Sequence, residues 1–157
     1  MENSTENAQH LWQVVEEHIG LWLKERQELL VRYSVFGLNE AQASRHLWAD
    51  VSGFFQQLMD YMSKGHFEIY RELVEEAEAF ADPATDLAEG LYPELAQATS
   101  VAVEFNEKYA NEEQWENNQT SFTKDISELG EILSDRFEKE DVLIAFLHDS
   151  HRPRDSE

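Results

Sequence analysis

A chain of 157 residues with 41% hydrophobic content, four Trp, nine Phe and five Tyr can bury a substantial core, which excludes a disordered polymer. Its 33 acidic residues against 12 Lys and Arg give a formal charge of −21, a field that repels nucleic-acid phosphates and anionic membrane surfaces. The absence of cysteine excludes disulfides, thiol nucleophiles and thiolate metal sites.

Six Gly and three Pro leave few places to turn tightly, and the abundance of Glu, Leu and Ala favours long helices. The polar stretch Met1 to Gln9 lacks the basic and apolar regions of a signal peptide, and no apolar run approaches a membrane span, so a cytoplasmic protein is expected. Ser4 or Thr5 can cap a first helix, whose stripe Leu11, Val15, His18, Trp22, Arg26, Leu29, Tyr33 and Phe36 ends at Gly37. His18 and Arg26 interrupt its apolar logic. Arg26 reads either as a side chain snorkelling from the core edge or as an anchor for a carboxylate elsewhere.

Asn39 can cap a second helix, with Leu47, Trp48, Val51, Phe54, Phe55, Leu58, Met59 and Met62 on its apolar face and Asp60 nearly opposite, facing solvent or a partner. Gly65 weakens that helix and Ser63 can cap a new one, so a kink or break is expected near 63–65. The third helix puts His66, Tyr70, Leu73, Ala77 and Phe80 on one side, with His66 and Tyr70 close enough to touch. Eight acids between Glu68 and Glu89, Glu76 among them, stand against Arg71 alone and read as a solvated face first and a docking face second.

Asp82-Pro83 opens a short helix to about Gly90, and Pro93 opens another carrying Leu95, Thr99, Ala102, Val103, Asn106 and Tyr109. Residues 110–119, polar apart from Trp115, read as a loop. A last helix from about Thr120 to Asp149 carries Phe122, Ile126, Leu129, Leu133, Phe137, Glu140, Ile144 and Leu147, followed by a polar tail. Glu140 sits where an apolar residue belongs, so its carboxylate must be paired or hydrogen-bonded. With no repeat or linker, residues 1–157 read as one domain, an all-α up-and-down bundle with long first and last helices.

Chemistry finds little foothold. Carboxylate di-iron bundles use Glu-x-x-His, but the residues three before the six histidines are Asn7, Val15, Ala43, Ser63, Ala145 and His148. The pair His148 and His151 falls at a fraying C-terminus. EF-hand, phosphate-loop, zinc-protease and nucleophile-elbow patterns are missing, so neither metal, cofactor nor catalysis is expected. The stretch Asp60 to Tyr70 gathers ionisable and aromatic side chains, and His66 beside Tyr70 reads as an acid–base pair or as a satisfied core histidine. The charge points to a basic protein partner.

Three stretches resemble the Rsd/AlgQ family of bacterial regulators: Trp22-Leu23-Lys24-Glu25-Arg26-Gln27-Glu28-Leu29, Asp60-Tyr61-x-Ser63-x-Gly65-His66-Phe67-x-Ile69-Tyr70, and Arg136-Phe137-x-x-Glu140-Asp141-x-Leu143-Ile144. The similarity spans about residues 8–150. It implies an all-α protein, an anti-sigma factor that binds the primary sigma factor through its C-terminal promoter-recognition domain, which contains a basic helix-turn-helix. Such binding keeps sigma from the −35 promoter element and the polymerase core; the alternative is an adaptor for a phosphocarrier or an alarmone enzyme. On this resemblance Asp60, Tyr61, Trp22, Leu29, Phe67 and Asp141 are assigned to partner binding. Arg26, His66, Tyr70, Arg136 and Glu140 are assigned to an internal polar network. The chain departs from the family pattern at Gly20-Leu21, at Arg71 and in its acidic 110–119 segment.

Overall fold

The structure, a computed structural model, describes residues 2–37 and 47–153. Its elements are α1 (Glu2–Gly37), α2 (Trp48–Lys64), a π-helical turn (Gly65–Ile69), α3 (Tyr70–Ala79), α4 (Thr85–Lys108), α5 (Glu112–Asn117), α6 (Gln119–Leu147) and a 3-10 turn (Asp149–His151). The fold is all-α with long first and last helices, and the described residues include no strand. α1 begins at Glu2 and runs through Ser4 and Thr5, so neither stands at the start of the helix, and the cap proposed at Asn39 lies outside the described residues.

Four rods pack around one apolar core. α1 lies along both α2 and α3, α4 packs on α6 and α2, and α6 closes against α1 and α3. Val15, Trp22, Leu29, Val51, Phe54, Leu58, Leu73, Ala102 and Leu129 are sealed from solvent at its centre. Aromatic side chains interlock there, with Phe36 edge-on to both Phe54 and Phe122. No described helix is long and apolar enough to cross a membrane.

The interruption near 63–65 takes a form that sequence reasoning did not specify. Ser63 caps nothing; the helix runs through it, Gly65 is right-handed helical (φ −60°, ψ −51°), and the Tyr70 amide donates to the Gly65 carbonyl, five residues back. α4 is likewise one helix and not two. Pro93 forfeits one bond to the Glu89 carbonyl, but both residues are exposed and water can take that carbonyl. Asp82 accepts a hydrogen bond from the Ala84 amide (2.8 Å) one turn ahead of α4. Before it, Ala81 ends α3 in the left-handed region (φ 54°), where glycine is the usual residue.

The 110–119 segment is not a loop either. Asn111 accepts from the Gln114 amide at 2.8 Å, Glu112 and Glu113 sit at the positive end of the new helix, and Trp115 is buried edge-on to Phe122. At the other end of the sequence stripe, Leu47 is two-thirds exposed, because it precedes α2 in extended conformation instead of lying on its buried face.

The pair His148 and His151 does not fray. His148 is buried, with Nδ1 2.5 Å from Glu76 of α3 and Nε2 2.9 Å from Glu16 of α1. His151 reaches Glu76 (3.0 Å) through Nδ1 and Asp82 (2.7 Å) through Nε2. Trp12 stacks on His148 at 4.6 Å and donates its indole N–H to the His148 carbonyl, while Arg152 bonds Glu16 and Asp149. Glu76 is therefore no part of a solvated face; it is the buried acceptor of a clasp that pins residues 148–152 to α1 and α3.

A neutral imidazole has one N–H, so two carboxylates on opposite nitrogens call for the imidazolium form of His148. Burial works against that charge, but Glu76 and Glu16 outweigh it and raise the pKa above the ordinary value. The resulting stability is complete below the unfolded pKa of about 6.5 and is lost as pH rises through the raised folded value. His148→Gln is expected to lower the unfolding free energy by about 2 kcal/mol near about pH 6, a deficit that shrinks toward about pH 9. Urea unfolding of both chains across that range checks this; a deficit that is constant or grows with pH refutes it.

Candidate functional site

Glu140, buried on the inward face of α6, is the acceptor around which the site is built. Its Oε1 takes the Tyr61 hydroxyl (2.5 Å) and Arg26 Nη2 (3.1 Å). Its Oε2 takes the Tyr70 hydroxyl (2.6 Å) and Arg136 Nε (2.9 Å). One carboxylate thereby joins α1, α2, α3 and α6. Arg136 spends its other nitrogens on the Thr99 hydroxyl (2.6 Å) and the Met62 carbonyl (3.2 Å), which adds α4. Arg26 donates Nε to Tyr61 (2.9 Å) and Nη1 to Asp141 (2.7 Å).

Two arginines face Glu140 and Asp141, so charge balances across the cluster. Burial disfavours the Arg26 charge, yet the Tyr61 oxygen and the Asp141 and Glu140 carboxylates hold it protonated. Burial, then the neighbouring Glu140 charge, pushes Tyr61 and Tyr70 far above the ordinary phenol range, so both remain donors. With both carboxylate oxygens doubly hydrogen-bonded, the cluster fixes positions.

The π-helical turn makes the convergence possible. At 100° per residue, Tyr61 and Tyr70 would project half a turn apart in an unbroken α-helix. The residue absorbed by the wide turn brings them to within about 80°, both facing α6. Gly65 opens that turn for a steric reason. A Cβ there would lie 2.7 Å from the Trp22 ring and 3.1 Å from Arg136 Nη2. Trp22 packs flat on Tyr61 (4.8 Å, 3° between planes) and donates its indole N–H to the Tyr61 carbonyl.

On the outer side of this cluster, α1 and α2 flank a groove of about 640 Å³ lined by Glu25, Glu28, Val31, Arg32, Gln57 and Asp60. Glu28 accepts from Gln57 (3.3 Å) and Glu25 faces Lys64 (3.5 Å). Asp60 is exposed and has no hydrogen-bonding or ion-pair partner among the described residues. α1 exposes Val31 in the groove and Leu30 next to it in sequence.

Partner-binding roles for Trp22, Leu29 and Tyr61 need correction. All three are sealed from solvent, Trp22 and Tyr61 by mutual stacking and Leu29 in the core, so none offers a surface. Asp60, Asp141 and Phe67 are exposed. His66 also leaves its assigned place. It sits outside the Glu140 cluster, with Nε2 3.2 Å from the Tyr92 hydroxyl and Nδ1 buried without a partner among the described residues. Burial, then the nearby Arg136 charge, lowers its pKa below the ordinary histidine value. Tyr61, Thr99 and Asp141 are the cluster members that sequence reasoning assigned elsewhere. A tyrosine on an apolar face is indistinguishable from core, and a threonine on a buried helix side carries no signal at all.

Residues 1–148 match the family model described as regulator of RNA polymerase sigma(70) subunit, Rsd/AlgQ. The chain is 35% identical over 138 residues to a regulator of sigma D from Yersinia enterocolitica, covering 85% of this chain and 82% of the relative. It is 34% identical to regulators of sigma D from Yersinia pseudotuberculosis, over 85% of this chain and 81% of the relative. A relative of the same name from an Enterobacter species is 34% identical over 83% of this chain and 79% of its own length. No solved structure gives a significant match.

Removing one partner of a buried ion cluster strands the others. Glu140→Ala leaves two arginines and two tyrosines without their acceptor and is expected to cost about 3–5 kcal/mol. Asp141→Ala removes only a largely exposed partner of Arg26 and is expected to cost less than about 1 kcal/mol. Urea midpoints of the two variants check the contrast; equal losses would contradict Glu140 as the centre.

Proposed function

The chain belongs to the Rsd/AlgQ family of regulators of the RNA polymerase sigma(70) subunit, and from that premise we propose that it is a stoichiometric anti-sigma protein. It binds the C-terminal promoter-recognition domain of the primary sigma factor and keeps it from the −35 element and the polymerase core. The observation that carries this reading is the α1–α2 groove, where Asp60 stands exposed with no partner among the described residues beside Glu25 and Glu28. A basic helix-turn-helix brings Arg and Lys groups that otherwise contact phosphates, and carboxylates can occupy them. Leu30 and Val31 on the α1 ridge add the apolar contact that charge alone does not provide. Asp141, exposed on α6, adds a further carboxylate. Trp22, Leu29 and Tyr61 contribute from behind by holding α1 and α2 at a set separation.

Calorimetry with the isolated C-terminal domain of the primary sigma factor is expected to give 1:1 binding at low salt that weakens as salt rises. Asp60→Ala is expected to weaken it about tenfold while leaving circular dichroism and melting unchanged. Absence of binding at low salt rejects the reading, and an unfolded Asp60→Ala protein rejects the placement of Asp60 as a contact. A lysate pulldown that captures a phosphocarrier or an alarmone enzyme but no sigma factor supports the adaptor alternative.

A further inference from the structure

A second cavity, of about 500 Å³, lies between the π-turn with α3 on one side and α4 on the other, and shares no lining residue with the α1–α2 groove. Its walls are apolar, formed by Phe67, Val74, Ala88, Tyr92 and Leu143. Phe67 is 66% exposed and Tyr92 45%, both beside His66, with ring centroids 4.7 and 5.4 Å from the imidazole. Large aromatics left uncovered around a concave apolar site mark a place where an apolar group docks. The charge around it limits what that group can be attached to. Glu75, Glu78 and Glu89 stand at the cavity against Arg71 alone, which already faces Glu75 at 3.7 Å. His66, held below the ordinary histidine pKa, adds no offsetting charge at neutral pH.

We infer that this cavity is a second protein-docking site, taking a large apolar side chain that a partner presents beside Lys or Arg residues. The apolar anchor fills the space between Phe67 and Tyr92, and the flanking cations meet Glu78 and Glu89. An acidic partner is excluded by the same carboxylates, and a basic segment without an anchor has nothing to seat in the cavity. The two sites share no lining residue, and Phe67, assigned to partner binding on the family resemblance, lies in this one and not in the α1–α2 groove.

Amide NMR titrations of the full chain at about 0.3 M salt, where diffuse attraction to the acidic surface is screened, test it. The probes are acetyl-Lys-Arg-Trp-Leu-Arg-Lys-amide, its counterpart with Ser-Gly replacing Trp-Leu, and acetyl-Glu-Asp-Trp-Leu-Asp-Glu-amide. Only the first is expected to bind saturably, shifting the amides of Phe67, Val74, Glu89 and Tyr92. Phe67→Ser and the double variant Glu78→Gln/Glu89→Gln, all at exposed positions, are each expected to weaken it about tenfold or more. Asp60→Ala is expected to change nothing. The inference is overturned if no peptide saturates, if the anchorless or acidic peptide binds equally well, or if the shifts fall on the α1–α2 groove.

Discussion

The Glu140 carboxylate is the constraint on which the arrangement of helices depends. A charge sealed inside a bundle is tolerable only when donors surround it, and here the four donors come from Arg26, Tyr61, Tyr70 and Arg136. Apolar packing alone tolerates a helix sliding or rotating by a fraction of a turn. A carboxylate bonded to four different side chains does not, because any slip leaves a buried donor unpaired at a cost of about 1–3 kcal/mol. The cluster therefore restricts which packing the helices can adopt.

That demand propagates into the backbone. Tyr61 and Tyr70 cannot both reach one carboxylate from a regular helix, so the rod carries a π-turn, and the turn begins at Gly65 because Trp22 and Arg136 occupy the space of a Cβ. At the far end of α6 a second polar cluster repeats the logic with other groups. Glu76 is bonded by two histidines, and through Glu16 and Trp12 the end of α6 is fastened to α1. α6 thus carries a polar lock at Arg136 and Glu140 and another just beyond its C-terminal end, with apolar Leu143, Ile144 and Leu147 between them.

Sequence reasoning reached the helical architecture and the long terminal helices because their apolar stripes are long and regular. It reached Arg26 and Glu140 because a charged residue on an apolar stripe is itself a signal. It missed where local chemistry and tertiary contact disagree. Pro93 has a clear local meaning, but α4 runs through it, and the polar 110–119 segment, read as a loop, holds a short helix that buries Trp115. The π-turn leaves no periodic trace, since one absorbed residue resets the stripe. That reset is why His66, in phase with Tyr70 on paper, ends outside the cluster. Glu76 and His148 look like surface residues until the fold brings them together across the bundle.

The same geometry ranks the carboxylates open to a basic partner. Asp141 is exposed, but Arg26 already donates to it at 2.7 Å, and Arg26 is held on its other side by Tyr61 and Glu140. An incoming guanidinium at Asp141 meets a fixed positive charge and must share the acceptor, so its gain is partly cancelled. Glu28 and Glu25 carry looser internal contacts, to Gln57 and Lys64, which a partner can displace. Asp60 carries none among the described residues, and a cation that meets it breaks nothing. Its helix is held one residue further along by Tyr61, whose hydroxyl is tied to Glu140 and whose ring is pressed on Trp22. Preorganisation behind a free charge makes recognition depend on position as well as sign, which distinguishes this carboxylate from the others on an acidic surface.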